Sequence, residues 1–204
     1  MNVISWTVIG LLLGAMPLAY WLAQVTLGVD IRLPVVGDGN PGAGNAWRAG
    51  GWRVGLPAAL LDYGKGAVPV ALAHYSWGLT GWALVPVGLA PVVGHAFSPF
   101  LHGRGGKGVA ATFGAWTGLA SFFGPLALGV TCGLFWRIQR ADGWTMAFGL
   151  LGLLAYLALA ASHPGYYVVW AGNAGIMMWK HRRDLRKPIG LRPDLLSRTP
   201  GPGD

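Results

Sequence analysis

Long apolar runs, separated by three polar stretches, make up most of this sequence. The polar stretches are GDGNPGAGNAWR at 37–48, GRGGKGVAAT at 103–112 and KHRRDLRK at 180–187. About 20 consecutive apolar residues suffice for a helix to cross the hydrocarbon core of a bilayer. The pattern therefore predicts an all-α integral membrane protein whose polar stretches lie at the membrane surface.

The lengths of the apolar runs predict a compact bundle of about seven transmembrane helices. Recurrent glycine and alanine in these runs would allow the helices to pack closely. One stretch, 109–136, could form a re-entrant pair instead of two short spans. The predicted spans are 3–27, two within 54–97 that turn near 74–78, two within 109–136 that turn near 123–125, 144–162 and 165–179.

The basic residues predict how the bundle is oriented. Lys and Arg together number 15, and the first of them, Arg32, follows the first apolar run. In the seven-span arrangement all of them except Lys65 fall on one side, and basic residues collect on the cytoplasmic side of membranes. We therefore expect the N-terminus outside, the C-terminus inside and the polar stretches facing the cytoplasm.

Composition supports the membrane prediction and argues against nucleic-acid binding. Hydrophobic residues make up 53% of the chain, charged residues make up 11%, and Glu is absent. In a soluble protein the net charge of +8 would suggest nucleic-acid binding. Here the basic residues flank apolar spans, so we expect contact with membrane lipids and no nucleic acid. At 204 residues the chain is expected to form one membrane domain, 1–190, followed by a polar Pro/Gly-containing cytoplasmic tail, 191–204.

The first two polar stretches are glycine-rich loops and candidate anion sites. Glycine lets the backbone turn tightly, and successive free N–H groups form a nest for an anion. In the first loop, Asn40, Asn45 and Arg48 add amides and a guanidinium, although a simple tight turn would give a similar string. In the second loop, Lys107 lies just before a predicted helix N-terminus, where anions are favoured. Alternatively, this loop only carries the charge that fixes the orientation.

Ionisable residues in or beside the apolar runs are further candidates. Asp62 and Lys65 are three residues apart, so they share a helix face and could form a structural ion pair or a phosphate-binding pair. His95 and His181 both adjoin the cytoplasmic polar stretches. Either could act as a general base or be a hydrogen-bonded interfacial histidine.

The sequence lacks the motifs of metal-dependent and covalent catalysis. It contains no Cys/His metal-ligand spacing, no HExxH and no GxSxG. We therefore expect no cofactor and no covalent nucleophile. A phosphate-handling reaction here would work by positioning a donor that is already activated.

Four segments together resemble the PlsY family of bacterial membrane acyltransferases. They are GDGNPGAGN at 37–45, LDYGKG at 61–66, GHAFSPFLHGRGGKGVAAT at 94–112 and HRRDLRK at 181–187. The resemblance implies a seven-span enzyme of the bacterial cytoplasmic membrane, and we expect a monomer. It also implies transfer of a fatty acyl group from acyl phosphate to the 1-hydroxyl of glycerol 3-phosphate. The products would be lysophosphatidate and phosphate, in the first step of phospholipid synthesis.

The resemblance also implies roles for particular residues. Cationic side chains and the glycine N–H groups of both loops would bind phosphates, and the two histidines would orient or deprotonate the acceptor hydroxyl. The implied catalytic residues are His95, Lys107, His181 and Asp184. The implied substrate-binding residues are Asp38, Gly39, Asn40, Gly42, Asn45, Arg48, Lys65, Gly105, Gly106, Gly108 and Arg182.

This chain departs from the family pattern where Asp38 replaces a usual Ser and Asp184 replaces a usual Asn. Carboxylates repel phosphate unless they are paired. We expect Asp38 to pair with Arg48, and Asp184 to pair with Arg182 or Arg186. The departures leave open a divergent or inactive paralogue with a different acceptor, and a small anion carrier is a third alternative.

Overall fold

The computed structural model describes residues 1–160 and 162–192, and within these ranges the chain is helical and contains no β-sheet. An isolated backbone bridge pairs Gln139 with Leu191. Residues 193–204, most of the predicted tail, lie outside the described residues. The α-helices are α1 Val3–Ala15, α2 Leu18–Leu27, α3 Ala43–Ala71, α4 Leu84–Ala96, α5 Val109–Ala120, α6 Phe123–Ile138, α7 Asp142–Leu159, α8 Pro164–Lys180 and α9 Arg182–Leu185.

Three segments of the described chain are long and apolar enough to cross a membrane: Val3–Leu27, Gly81–Leu101 and Asp142–Leu159. Each coincides with a predicted span. α5 and α6 are apolar but shorter, and the 12 residues of α5 extend only about 18 Å against a hydrocarbon core of about 30 Å. The predicted all-helical architecture is confirmed for the described residues.

The first predicted span is one apolar run but two helices. Met16 and Pro17 interrupt it, because proline has no N–H to continue the helical hydrogen bonds. At this break the Met16 carbonyl accepts a hydrogen bond from Lys65 Nζ at 2.7 Å, and the Ala15 carbonyl accepts one from Ser98 Oγ. The break therefore anchors α3 and the loop that follows α4.

α3 begins earlier than predicted. The sequence predicts the next span to begin at about residue 54, but the helix begins at Ala43, directly after Gly42, and bends at Gly51, where φ is +62°. That conformation suits glycine because it has no Cβ. Asn45 and Arg48 therefore project from a turn of helix and not from an irregular loop.

Glycines let α3 and α5 run side by side in the same direction. A Cβ on Gly66 would overlap the carbonyl oxygen of Ala111, and further along both helices a Cβ on Gly118 would lie 2.7 Å from the Ala71 nitrogen. Because the contacts advance together along the two helices, the helices are parallel. The two glycine-rich loops, which precede α3 and α5, consequently lie at the same end of the bundle.

The buried core occupies the middle of the bundle. Leu84 on α4, Trp116 on α5 and Leu153 on α7 are fully buried and belong to one apolar cluster. A smaller cluster that includes Ala23 and Ala58 packs α2 against α3. Large apolar side chains on the opposite helix faces stay exposed, which is the arrangement expected of helices that face lipid.

Gly66→Ala should lower the melting temperature of the protein in detergent micelles by several degrees. The added Cβ must displace the Ala111 carbonyl. Overpacking of this kind costs about 1–3 kcal/mol, and roughly 2–4 °C is lost per kcal/mol in a chain of this size. Gly64→Ala, on the same helix, is the matched control because nothing lies within 4 Å of its added Cβ. Equal melting temperatures for the two variants would contradict the packing account.

Candidate active site

A cavity of about 570 Å³ opens between the two glycine-rich loops and helices α3, α5, α6 and α7, and we call it the inner cavity. Part of its lining is apolar and part carries charged and imidazole groups, so it suits an amphiphilic ligand. The apolar lining includes Leu60, Tyr63, Val109, Phe113, Trp136 and Met146. The polar lining includes Asp38, Asn40, Asn45, Arg48, Asp62, His95, Lys107 and His181.

Asn45 organises the first glycine-rich loop from within α3. Its side-chain amide donates to the Asn40 carbonyl at 2.9 Å and to the Ile31 carbonyl at 3.1 Å, and its Oδ1 accepts from Arg48 Nη1 at 2.7 Å. A side chain on Gly37 would collide with both Asn45 and Arg48. The guanidinium is thus held at the cavity by one of its five donors, and the others can reach a ligand.

Lys107 lies between two carboxylates that come from distant parts of the chain. Its Nζ is 2.8 Å from Asp38 Oδ2 and 2.7 Å from Asp184 Oδ2. The other oxygen of Asp184 is 2.7 Å from Lys187 Nζ. The ammonium group therefore joins the first loop, the second loop and the C-terminal helix α9 at one point.

This pairing corrects the one expected from the sequence. The side chain of Arg48 bonds to Asn45. Arg182 donates to the Trp179 carbonyl at 2.9 Å, and its guanidinium lies over the indole ring of the same residue. Within the described residues, neither of these arginines nor Arg186 pairs with the two carboxylates. Lys107 takes their place because the second loop brings its Nζ within 2.8 Å of both carboxylates, whereas Arg48 and Arg182 bond to other partners.

The three central charges hold one another in the ionised state. Burial acts to raise the pKa of Asp184, but hydrogen bonds from Lys107 and Lys187 outweigh it and lower that pKa to about 2. Burial also opposes ionisation of Asp38, yet Lys107 keeps the pKa of that carboxyl below its ordinary value. Burial acts to lower the pKa of Lys107, but the two carboxylates outweigh this effect, so the pKa of Lys107 is raised. An anion that binds Lys107 therefore competes with two carboxylates for the ammonium charge, and the two carboxylates occupy two of its three N–H donors.

The second glycine-rich loop crosses the end of α4 directly over His95. The Gly106 N–H donates to the His95 carbonyl at 3.0 Å, and a Cβ on Gly106 would collide with the imidazole ring. The Gly105 carbonyl accepts from Lys180 Nζ at 3.0 Å. Because the Gly106 N–H is already hydrogen-bonded, this glycine positions His95, whereas Gly108 lines the inner cavity.

Asp62 and Lys65 form the buried ion pair expected from their spacing. Lys65 Nζ is 2.8 Å from Asp62 Oδ1, and each side chain is only 3% exposed. His95 Nδ1 lies 3.8 Å from the same oxygen. Asp62 and His95 line the inner cavity, whereas Lys65 does not, and its ammonium also donates to the Met16 carbonyl. These contacts favour the structural alternative for Lys65.

His181 is buried at the junction of α8 and α9 and borders the inner cavity. Its Nδ1 is 2.9 Å from the Met177 carbonyl, which can only accept, so the proton of the neutral ring is on Nδ1. Nε2 is then an unprotonated acceptor. Burial lowers the pKa of His181, which keeps the ring neutral at neutral pH and able to take up a proton.

A second cleft of about 570 Å³ adjoins the inner cavity and shares Asp38, Asn40 and Lys107 with it. We call it the basic cleft. Gly39 and Gly105 of the two loops border it. Lys107 is therefore accessible from both clefts. The basic residues of the cleft are Arg104, Lys107, Lys180, Arg182, Arg183 and Lys187.

Most of the residues proposed from the sequence line these two clefts, but some of the lining was missed. Helical spacing identifies Asp62 only as the partner of Lys65, although a carboxylate within an apolar run is itself a signal of a polar cavity. Lys180 was not proposed. The apolar lining, for example Tyr63 and Phe113, gives no sequence signal because ordinary span residues look the same.

The fold and the site together define a helical membrane protein with cationic groups and imidazoles at one end of an apolar cavity. A family model described as glycerol-3-phosphate acyltransferase matches residues 4–189. The chain is 36% identical over 188 residues to "Glycerol-3-phosphate acyltransferase 1" of Thermotoga maritima, covering 85% of this chain and 91% of the relative. It is 37% identical to "Glycerol-3-phosphate acyltransferase" of Thermus thermophilus, with 92% of each chain covered.

Solved structures agree with the sequence relatives. A crystal structure of PlsY (YgiH), an integral membrane glycerol 3-phosphate acyltransferase in its glycerol 3-phosphate form, superposes with a TM-score of 0.81 and 26% identity, covering 96% of this chain and 99% of that chain. The lysophosphatidic acid form gives a TM-score of 0.76 and 27% identity, covering 90% and 89%. The chain belongs to the glycerol-3-phosphate acyltransferase family and is a membrane acyltransferase, which confirms the resemblance read from its four motifs.

Proposed function

We propose that this protein transfers a fatty acyl group from acyl phosphate to the 1-hydroxyl of glycerol 3-phosphate, giving lysophosphatidate and inorganic phosphate. This would be the first step of phospholipid synthesis. The names of the relatives support the acceptor, and the glycerol 3-phosphate and lysophosphatidic acid forms of PlsY support both acceptor and product.

The observation that carries the proposal is the mixed lining of the inner cavity. A fatty acyl phosphate has an apolar chain and a charged end. In the cavity, Phe113 and Met146 can contact the apolar chain, and Arg48 and Lys107 can contact the charged phosphate. Guanidinium and ammonium groups bind phosphate oxygens strongly and would stabilise the charge on the departing phosphate.

The basic cleft fits the second substrate. Glycerol 3-phosphate has no apolar part, and this cleft is lined mainly by basic side chains and loop glycines. Because Lys107 borders both clefts, one ammonium group can contact both phosphorylated substrates. The reacting hydroxyl and carbonyl would then meet near Lys107, which lowers the entropic part of the barrier.

The chemical step needs no acyl-enzyme. The oxygen of the 1-hydroxyl attacks the acyl carbonyl carbon and forms the ester bond. The bond between that carbon and the phosphate oxygen breaks, and inorganic phosphate leaves with the electron pair. In this proposal His181 Nε2 accepts the hydroxyl proton, because Nδ1 is held by the Met177 carbonyl. His95, beside Asp62, orients the acceptor.

The membrane arrangement is part of the proposal. α1 together with α2 would cross once, and α3 to α8 would each cross once, giving seven passes with the N-terminus outside and the C-terminus inside. Arg48, Lys107 and Lys180 lie at one end of the bundle, and the positive-inside rule supports placing that end, with the site, in the cytoplasm. We propose a monomer in the bacterial cytoplasmic membrane.

Purified protein should release phosphate from palmitoyl phosphate when glycerol 3-phosphate is present, and Lys107→Ala should not. Arg48→Ala should lower kcat/KM by about tenfold to a hundredfold, since a hydrogen bond to a charged group contributes about 1.5–3 kcal/mol. The matched control is Arg53→Ala, because Arg53 lies on the same helix against Trp52 and lines neither cleft. Phosphate release no greater than that of Lys107→Ala would refute the proposed reaction and leave the divergent paralogue or the anion carrier.

The pH dependence of kcat/KM should report the protonation of the His181 imidazole. Burial lowers its pKa, so the acid limb should lie below the ordinary imidazole value of 6.5. Phosphate monoesters titrate near pH 6 as well, so the limb that belongs to His181 is the one that disappears in His181→Gln. Loss of a general base costs about 10²–10⁴-fold in rate. An acid limb at or above pH 6.5, or one unchanged in His181→Gln, would exclude His181 as the base.

A further inference from the structure

A second apolar depression lies beside the inner cavity, between α3, α5 and α6. We call it the side groove, and its volume is about 690 Å³. Several of its residues are exposed on the bundle surface, for example Val130 at 62%. The groove therefore opens toward the lipid. The residues used below are Tyr63, Tyr75, Thr117, Ser121, Leu126 and Gly129.

The side groove adjoins the inner cavity. Tyr63 lines both of them. Phe113 lines the inner cavity, and its ring lies 3.3 Å from the place that a Cβ on Gly129 would occupy in the groove. The missing side chain at Gly129 keeps open the space beside the Phe113 ring. The Tyr63 and Phe113 rings thus lie where the two spaces meet.

Hydrogen bonds hold Tyr63 of α3 against α5 at this junction. Tyr63 Oη donates to Thr117 Oγ1 at 2.8 Å, and Thr117 Oγ1 donates to the Phe113 carbonyl at 3.0 Å. Further along the groove, the hydroxyl groups of Tyr75 and Ser121 are 2.7 Å apart. Hydroxyls that satisfy one another leave the surface of the groove effectively apolar.

The length of the side groove matches an acyl chain. At 1.5 Å per residue, the helical path from Tyr63 to Tyr75 is about 18 Å long. The hydrocarbon of one bilayer leaflet is about 15 Å thick, which is half of the total core. An acyl chain that leaves the inner cavity past Tyr63 and Phe113 would therefore reach the far end of the groove along α3.

We propose that the side groove holds the distal part of the donor's acyl chain and that Gly129 sets the chain-length preference of the enzyme. This inference rests on the proposed acyl phosphate reaction. A long chain needs the space beside Phe113, whereas a short chain ends within the inner cavity. A side chain on Gly129 would obstruct only the long chain.

Gly129→Leu should lower kcat/KM for palmitoyl phosphate by about tenfold or more, because overpacking would oppose entry of the chain. The value of kcat/KM for octanoyl phosphate should change by no more than about twofold, which is the size of effect expected from a surface substitution that is not involved in binding. Gly133→Leu is the matched control, since Gly133 lies one turn further along α6 with nothing within 4 Å of an added Cβ. Equal losses for both donors in Gly129→Leu would overturn the inference.

Leu126→Trp provides a second variant in case Gly129→Leu does not fold. Leu126 is 41% exposed at the rim of the groove, so a larger side chain there enters the groove without entering the core. It should reduce activity toward palmitoyl phosphate selectively, in the same way. A chain-length profile identical to that of the unmodified protein would count against the groove.

A labelling experiment separates this inference from the proposed function. A palmitoyl phosphonate with a diazirine at the end of its chain cannot transfer the acyl group, so it reports binding even if no donor is turned over. The label should map to residues 121–130. Excess unlabelled palmitoyl phosphonate should prevent this labelling, and phospholipid should not. Labelling elsewhere, or competition by phospholipid alone, would refute the acyl-chain assignment whether or not the enzyme turns over acyl phosphate.

Discussion

The ion pairs of Lys107 with Asp38 and Asp184 are the interaction on which the site depends. A single ammonium group connects the first glycine-rich loop, the second glycine-rich loop and α9. Partly buried charges are costly unless they are paired, so these segments gain stability by closing around Lys107. The same pairing has a functional cost, because a phosphate must compete with carboxylates for the cation that would bind it.

Helix packing makes that convergence possible. The parallel course of α3 and α5, allowed by glycines such as Gly66 and Gly118, brings both loops to one end of the bundle. The break at Pro17 then supplies the carbonyl that holds Lys65 and, through it, Asp62 beside His95. Structural and functional ionisable groups thus lie next to each other, and contact with the inner cavity distinguishes their roles.

Much of the architecture was predictable from the sequence, because the lengths of the apolar runs and the positions of the glycine-rich loops are local signals. The ion pair of Asp62 with Lys65 followed from helical spacing. The partners of Asp38 and Asp184 did not follow, since a long lysine side chain can select among acceptors that are far apart in sequence. The early start of α3 was missed because Gly-rich composition argues against a helix. The apolar cavity lining could not be recognised, since packing alone distinguishes it from other span residues.

The most direct test of the account is the affinity of the protein for inorganic phosphate, measured by titration calorimetry in detergent. Asp38→Asn combined with Asp184→Asn removes the competing carboxylate charges and leaves Lys107 in place. The account predicts binding tighter by about fivefold or more, in line with ion pairs worth up to about 1 kcal/mol. Asp30→Asn, which breaks the separate Arg32 ion pair, should have no effect. Unchanged or weaker phosphate binding in the double variant would contradict the account.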